Sequence, residues 1–352
     1  MELTTRPWIT AGVALAGAGA IAAIPVAAPL AGPQSRVVQL ATDVDPVTPF
    51  LDALTTASAN ATAVADFYFE APEAALQQAI VNQVGFIGED PATALQDFQI
   101  NFLTALLAAT FIDPDQDEAD LDFIDGLTSQ TLDAPHQVLQ TALTEGIPGI
   151  FPARDGQVPL LVDFLSSPLS GVLISSLSPV LSPLVEFGNS IQAAIDALGT
   201  DPTTALQDLI NIPANVTNAF FNGTTLDLSA LIPLIEQGNI VGLPDGASID
   251  SLSLALGGLF SPGSVVDGAG GSILNALGLD LSGVPGLGDL DIVGQGVGPI
   301  AAMADLSRIV AEAIGWDGTG NPLDALAFPA IGGDLLGGLF DTEPMDILAS
   351  LF

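Results

Sequence analysis

"FLSSPLSGVLISSLSPVLSPLV", Phe164 to Val185, carries no ionisable side chain in a chain that has 41 acidic residues. It is long enough to cross a membrane, but Pro168, Pro179 and Pro183 interrupt it and serines run through it. Proline removes a backbone donor and crowds the preceding turn, so one continuous helix is not expected here. Each proline also frees a carbonyl that hydrocarbon cannot satisfy. Short helices packed in a protein interior are the first expectation, and broken helices lining a cavity the second. Both make the fold helical, and the flanking sequence agrees.

Upstream, Phe50, Leu51, Leu54, Ala57, Ala61, Val64, Ala65 and Tyr68 recur at helical spacing, which predicts an amphipathic helix ending near Ala71-Pro72. A second helix is predicted from Pro72 to Val84, with Leu76, Ile80 and Val84 sharing a face. Asp90-Pro91 reads as a capping residue and a first-turn proline, and Leu95, Phe98, Phe102, Leu106 and Ala109 continue on one stripe. The start is repeated: "DPATALQDF" (Asp90 to Phe98) and "DPTTALQDL" (Asp201 to Leu209) agree at most positions. A duplicated helix start and two pseudo-equivalent helical halves are the simplest account, short of a solenoid. Beyond the second copy the chain stays neutral through "LINIPANVTNAFFNG". There Pro213 fits a first helical turn and Asn222-Gly223 a stop, giving a helix of about ten residues with Asn215, Asn218 and Asn222 on one amide stripe. That stripe is a candidate for helix packing or for recognition of sugar-like groups, with packing inside the fold as the plainer use.

Between Gly242 and Gly298 the texture changes. Glycine is dense, and brief period-two alternations in "SLSLAL" (Ser251 to Leu256) and "LGLDLSGV" (Leu277 to Val284) suggest short strands. A membrane barrel needs repeated segments of about 9 to 11 residues, and no set of eight is present. Helical character returns at Ile300 to Ile314, where Met303, Leu306, Val310 and Ile314 share a face. The fold class is therefore mainly α, an irregular multi-helix architecture with a Gly-rich, loop-rich later part. The chain divides into 1–31, a signal peptide or N-terminal anchor; 32–241, an acidic helical region; 242–298, the Gly/Leu-rich region; and 299–352, a helical segment.

Composition sets the partners. The 352 residues include four arginines and no lysine, with a formal net charge of −37. Phosphate backbones and anionic headgroups both need basic side chains, so nucleic acid is excluded and inorganic cations are the natural small partners. Hydrophobic residues nevertheless make up 49%, and the mean hydropathy is +0.55. Such a chain seeks burial in a core, a partner or lipid. There is no cysteine, so disulfides and thiolate sites are out. The N-terminal order of Arg6, an apolar run from Trp8 to Ile24 and then small residues fits a secretory signal cut between Ala28 and Ala31, or an uncleaved anchor.

Candidate chemistry is sparse. "DPDQDEADLDFID" holds the carboxylates of Asp113, Asp115, Asp117, Glu118, Asp120, Asp122 and Asp125. The first three match the opening ligand positions of a calcium loop, but Glu118 stands where glycine should turn and Ile124 where a bidentate Glu should close the shell. A solvated acidic loop that attracts cations is the expectation. His136 is the only imidazole; it could partner Asp133 and a serine, but no G-x-S-x-G elbow exists, and it reads as an ordinary exposed residue near a helix start. Arg154-Asp155 reads as a local ion pair in a turn. No cofactor motif is present, and the chain is not expected to be an enzyme.

Three stretches carry a resemblance: "RPWITAGVALAGAGAIAAIPVAAPL" (Arg6 to Leu30), "RVVQLAT" (Arg36 to Thr42) and above all "LINIPANVTNAFFNG" (Leu209 to Gly223). Together they resemble the GjpA-type outer-membrane porin proteins of mycolic-acid-containing actinobacteria. Similar "IPANVTNAFFNG" segments occur in secreted PE- and PPE-type proteins of these bacteria, whose Pro-Pro-Glu start and Gly-Gly-Ala arrays are missing here. The resemblance implies an exported protein of the cell envelope or outer membrane that forms a water-filled channel and contacts envelope lipid or other envelope proteins. Acidic walls would then favour cations, with the carboxylates of Asp113 to Asp125 as a mouth ring. An α-rich monomer cannot line a wide pore alone, so a channel requires a homo-oligomer. The alternative is a secreted structural or interaction protein of the envelope with neither channel nor enzymatic activity.

Overall fold

The computed structural model describes residues 45–326, apart from 114–117, 149, 153–156, 238–241 and 245. The expected signal or anchor, Asp115, Asp117 and Arg154-Asp155 lie outside the described residues.

Proline and aspartate punctuate the helices as the sequence suggests. α1 (Thr48–Glu70) starts where Asp45 Oδ1 accepts hydrogen bonds from the Val47 and Thr48 amides, and it stops before Pro72. α2 (Ala74–Gly85) follows after a tight turn. α3 (Pro91–Thr110) is capped by Asp90, which accepts from Ala92 N, Thr93 N and Thr93 Oγ1. α4 (Glu118–Thr131) and α5 (Ala134–Thr144) meet at Asp133, whose side chain caps α5. α6 (Gln157–Ser166) leads through the Ser167 cap into α7 (Pro168–Leu198). α8 (Pro202–Asn222) begins at Asp201, which accepts from Thr203 N, Thr204 N and Thr204 Oγ1, the same three bonds that Asp90 makes. The duplicated start is thus a duplicated cap.

Two expectations about helix length are corrected. α7 is one helix of 31 residues with Pro179 and Pro183 inside it, not a set of short ones. The carbonyls deprived of donors belong to Ser175 and Pro179, which are both buried, so the break in the ladder faces protein and not the outside. α8 likewise runs 21 residues through Pro213 and does not start there. The carbonyl freed by Pro213 is that of Leu209, a half-exposed residue, so it is not trapped in a core.

The glycine-rich part contains the sheet. β1 (Thr224–Asp227), β2 (Ser248–Leu256), β3 (Leu277–Val284) and β4 (Gly288–Ile292) form an antiparallel meander in that order. β1 follows α8 directly at Gly223, whose φ of +89° suits glycine. A short helix, α9 (Ile232–Gln237), joins β1 to β2. The alternation seen in the sequence sorts the two faces. Ile249, Leu252, Leu279, Leu281 and Ile292 pack inward with Leu139 and Ala142 of α5 and Val162 of α6, and this is the largest apolar core.

α10 (Pro299–Ala313) is the hub of the helical layer, in contact with α1, α2, α3 and α7, while α8 lies along α7 and α1. The seams are built from small residues. Ala301, Ala302, Ala304 and Ala311 of α10, Ala53 and Ala57 of α1, and Ala205, Ala214 and Ala219 of α8 are buried. Alanine seams let backbones approach closely but bury little apolar area per contact.

Candidate functional site

The predicted apolar stripes of α2 and α3 point outward, whereas Ala57 and Val64 of the α1 stripe are buried. On α2, Leu76, Ile80 and Val84 are exposed, whereas Ala74, Gln77 and Gln78 are buried. On α3, Leu95, Phe98, Phe102 and Leu106 are exposed and Ala108 is buried. α7 carries the inversion furthest. Ser170, Ser175, Ser178 and Ser182 lie inside, while Leu177, Val180 and Leu184 are 61, 67 and 66% exposed. The serine hydroxyls find partners close by. Ser175 Oγ donates to Val172 O, Ser178 Oγ to Ile174 O, and Ser182 Oγ to the carbonyls of Leu256 and Gly257. Backbone-bonded serine is small and satisfied, so it can line a tight helix contact.

α3 and α7 touch each other and both touch α10. The uncharged part of α7, Pro168 to Val185, is roughly 27 Å long at the α-helical rise, and that of α3, Phe98 to Thr110, roughly 20 Å. Ile300 and Met303 of α10 are exposed as well. Each of α3 and α7 thus presents an uncharged, apolar exposed stretch on a molecule that is otherwise strongly acidic.

From Glu118 onward the described part of the acidic segment is not a loop. It is helical, and Ile124 packs in a core with Phe111, Leu127 and Ile309. Asp113 is buried beyond the α3 terminus, where Phe111 takes φ +53°, while Asp122 and Asp125 are exposed on α4. Glu118 and Asp120 belong to the same helix. Burial, then Glu145 and Asp122, raises the Asp125 carboxyl above its usual range. Among the described residues no cluster of three or more metal-ligating side chains occurs.

The amide stripe of α8 is spent on internal contacts. Asn215 Nδ2 donates to Ser190 Oγ of α7 at 3.1 Å. Asn222 Nδ2 donates to Asn218 Oδ1 at 2.7 Å and to Ala53 O of α1 at 3.0 Å, and Asn222 Oδ1 accepts from Asn60 Nδ2. These three asparagines therefore tie α8 to its two neighbours.

His136 is fully buried, not exposed as its helix-start position suggested. Nδ1 lies 2.5 Å from Asp133 Oδ1 and Nε2 lies 2.8 Å from the Leu277 carbonyl, so the ring clamps α5 to the first residue of β3. Asn275 extends the clamp, with Oδ1 accepting from Asp133 N and Nδ2 donating to Ser264 Oγ. The imidazole is consumed by structure.

One polar groove was invisible in the sequence. On the outer sheet face a shallow hollow of about 190 Å³ is lined by Thr225, Ser251, Ser253, Asp280 and Asp291 among others. Asp280 and Asp291 stand directly opposite each other on β3 and β4. A hydrogen bond between the two carboxyls, and their mutual repulsion, raise the Asp291 carboxyl. The alternation in "GDLDI" puts Asp291 on the outer face, but only the strand register brings it to Asp280.

Comparison with protein-family models yields no match, and neither the curated proteins nor the solved structures yield one.

Proposed function

We propose that this is an exported cell-envelope protein of the GjpA type that works against lipid through the outward apolar faces of α3 and α7. The observation that carries the reading is the inverted burial of α7, with serines inside and Leu177, Val180 and Leu184 outside. In water each large aliphatic side chain forfeits about 1.5–3 kcal/mol by not being buried. In hydrocarbon that loss disappears, and helices are instead held by small residues and satisfied hydroxyls, as at the α7 seam. Pro179 and Pro183 support the same reading, because the carbonyls they free lie on the protein side.

Fractionation and vesicle binding test the proposal. Mature full-length protein should need detergent to leave the envelope and should float with phosphatidylcholine vesicles. A monodisperse, detergent-free protein that stays at the bottom of the gradient defeats it. The channel form of the reading rests on the resemblance and the excess of carboxylates, and it requires a homo-oligomer. Planar bilayers decide between it and a non-conducting envelope interaction protein: stepwise currents with reversal potentials shifted toward cations favour the channel, and silent membranes with bound protein favour the alternative.

A further inference from the structure

Two buried polar atoms of the helical layer have no partner: Asp305 Oδ2 and Arg308 Nε, one turn apart on α10. Asp305 is only 6% exposed. Its carboxyl abuts Gly271, where φ is +85° and an added Cβ would come within 2.7 Å of Oδ2. Gly271 abuts α7 on its other side, since a Cβ on Gly171 would meet Gly271 O at 1.5 Å. Gly271 is thus bare backbone between α10 and α7.

The loop Gly270 to Ser272 is fastened at its other edges. Gly270 N donates to Gln130 O at 2.8 Å, Ser272 Oγ donates to Thr131 O at 3.0 Å, and Ile273 N donates to Ser170 Oγ at 3.0 Å. Toward Asp305 Oδ2 it donates nothing. A neutral carboxyl tolerates such a dry contact, whereas a carboxylate without donors does not. Burial accordingly pushes the Asp305 carboxyl well above the usual range; Arg308 opposes this and Glu312 adds to it.

Of the surrounding charges Arg308 favours an ionised Asp305 and its buried Nε is without a partner, while its Nη2 is held elsewhere. Arg308 Nη2 donates to Phe67 O and Glu70 Oε2 of α1, and its guanidinium lies over the Phe67 ring, 4.0 Å from the centroid. Glu312 accepts from Gln130 Nε2 at 2.9 Å. α7 presents no charged residue from Pro168 to Val185, and Asp267, near the loop, is exposed.

We propose that Asp305 is a proton-operated latch: uncharged, it lets the Gly270 to Ser272 loop lie sealed between α10 and α7, and charged, it releases the loop. Release would reach the α4–α5 turn, because the loop is bonded to Gln130 and Thr131 at the end of α4. Acid would close the latch and alkali would open it.

The chain has no cysteine, so a single thiol at Ser272, which is fully buried, reports opening. Full-length Ser272→Cys is labelled with a small maleimide from about pH 5 to 9, with and without Asp305→Asn, the neutral isostere. Comparing the two at each pH cancels thiolate ionisation. The labelling rate with Asp305 intact, divided by the rate with Asp305→Asn, should rise with pH by up to about tenfold per unit, the limit for one linked proton. A ratio that stays constant overturns the latch. Should Ser272→Cys fail to fold, amide exchange of the 268–273 peptide in wild type and Asp305→Asn at matched pH gives the same comparison. There, pH-dependent excess exchange in wild type supports the latch and parallel exchange overturns it.

Discussion

Replacing Leu177 and Leu184 by glutamine tests the outward face directly. Both side chains are about two-thirds exposed, at 61 and 66%, so they contribute little to packing within the protein. Glutamine is nearly as good a helix former as leucine, and exposed substitutions typically change stability by within about 0.5 kcal/mol. Thermal melts in mild detergent should therefore superimpose on wild type. Against lipid the outcome differs. Full burial of a leucine is worth about 1.5–3 kcal/mol, and the exposed share of the pair corresponds to roughly 2–4 kcal/mol of lost transfer energy. That is a fall of about 30- to 900-fold in partition onto phosphatidylcholine vesicles, measured by flotation over a lipid series. The desolvation of two amides makes this a lower bound. A double variant that folds normally and partitions as wild type would refute the lipid-facing assignment of α7.

Four further outcomes follow from particular contacts. Asp90→Ala and Asp201→Ala remove matching caps, so each should lower stability, and denaturant midpoints should show the two losses to be similar. Gly171→Ala drives a Cβ against the Gly271 carbonyl and should cost about 1–3 kcal/mol or prevent folding, read by circular dichroism melts. His136→Ala empties a buried site and leaves the Leu277 carbonyl unpaired, a loss of about 2–4 kcal/mol in urea titrations. Asp163, raised by burial to about 6, binds its proton more tightly folded than unfolded, so its contribution falls as pH rises from its ordinary value through about 6. Asp163→Asn should remove that decline and raise the midpoint at neutral pH relative to wild type.

Helix starts were legible because they are local: Asp-Pro at 90–91 and 201–202 specifies cap and first turn without reference to the rest of the chain. The strands of 251–256 and 277–284 were legible for the same reason, since period-two alternation is written in adjacent residues. What failed was the direction of the faces on α2 and α3. Leu76, Ile80 and Val84 do share a face, but periodicity cannot say whether that face meets protein or something outside it. The prolines misled in a related way. At Pro179 and Pro213 the lost hydrogen bond is tolerated because of where the freed carbonyl points, which depends on packing and not on the peptide itself. His136 and the Asp280–Asp291 pair were unreadable because their partners lie on elements brought together only by the sheet register. Of the candidate site residues, Asn215 and Asn222 hydrogen-bond to α7 and α1, partners that the stripe itself does not name.

The seams of serine, alanine and glycine also bear on heat capacity. Unfolding a protein ordinarily exposes much hydrocarbon, which gives an increment of about 12–15 cal/mol/K per residue and a sharply curved stability profile. Here Leu177, Val180, Leu184 and the α3 stripe are largely exposed already in the folded chain, and the contacts that part are between Ser182 and a carbonyl, or between Ala302 and its neighbours. The increment per residue should be smaller than usual, because polar and backbone exposure offsets the apolar gain. A shallow stability profile results, one that changes little between cool and warm surroundings.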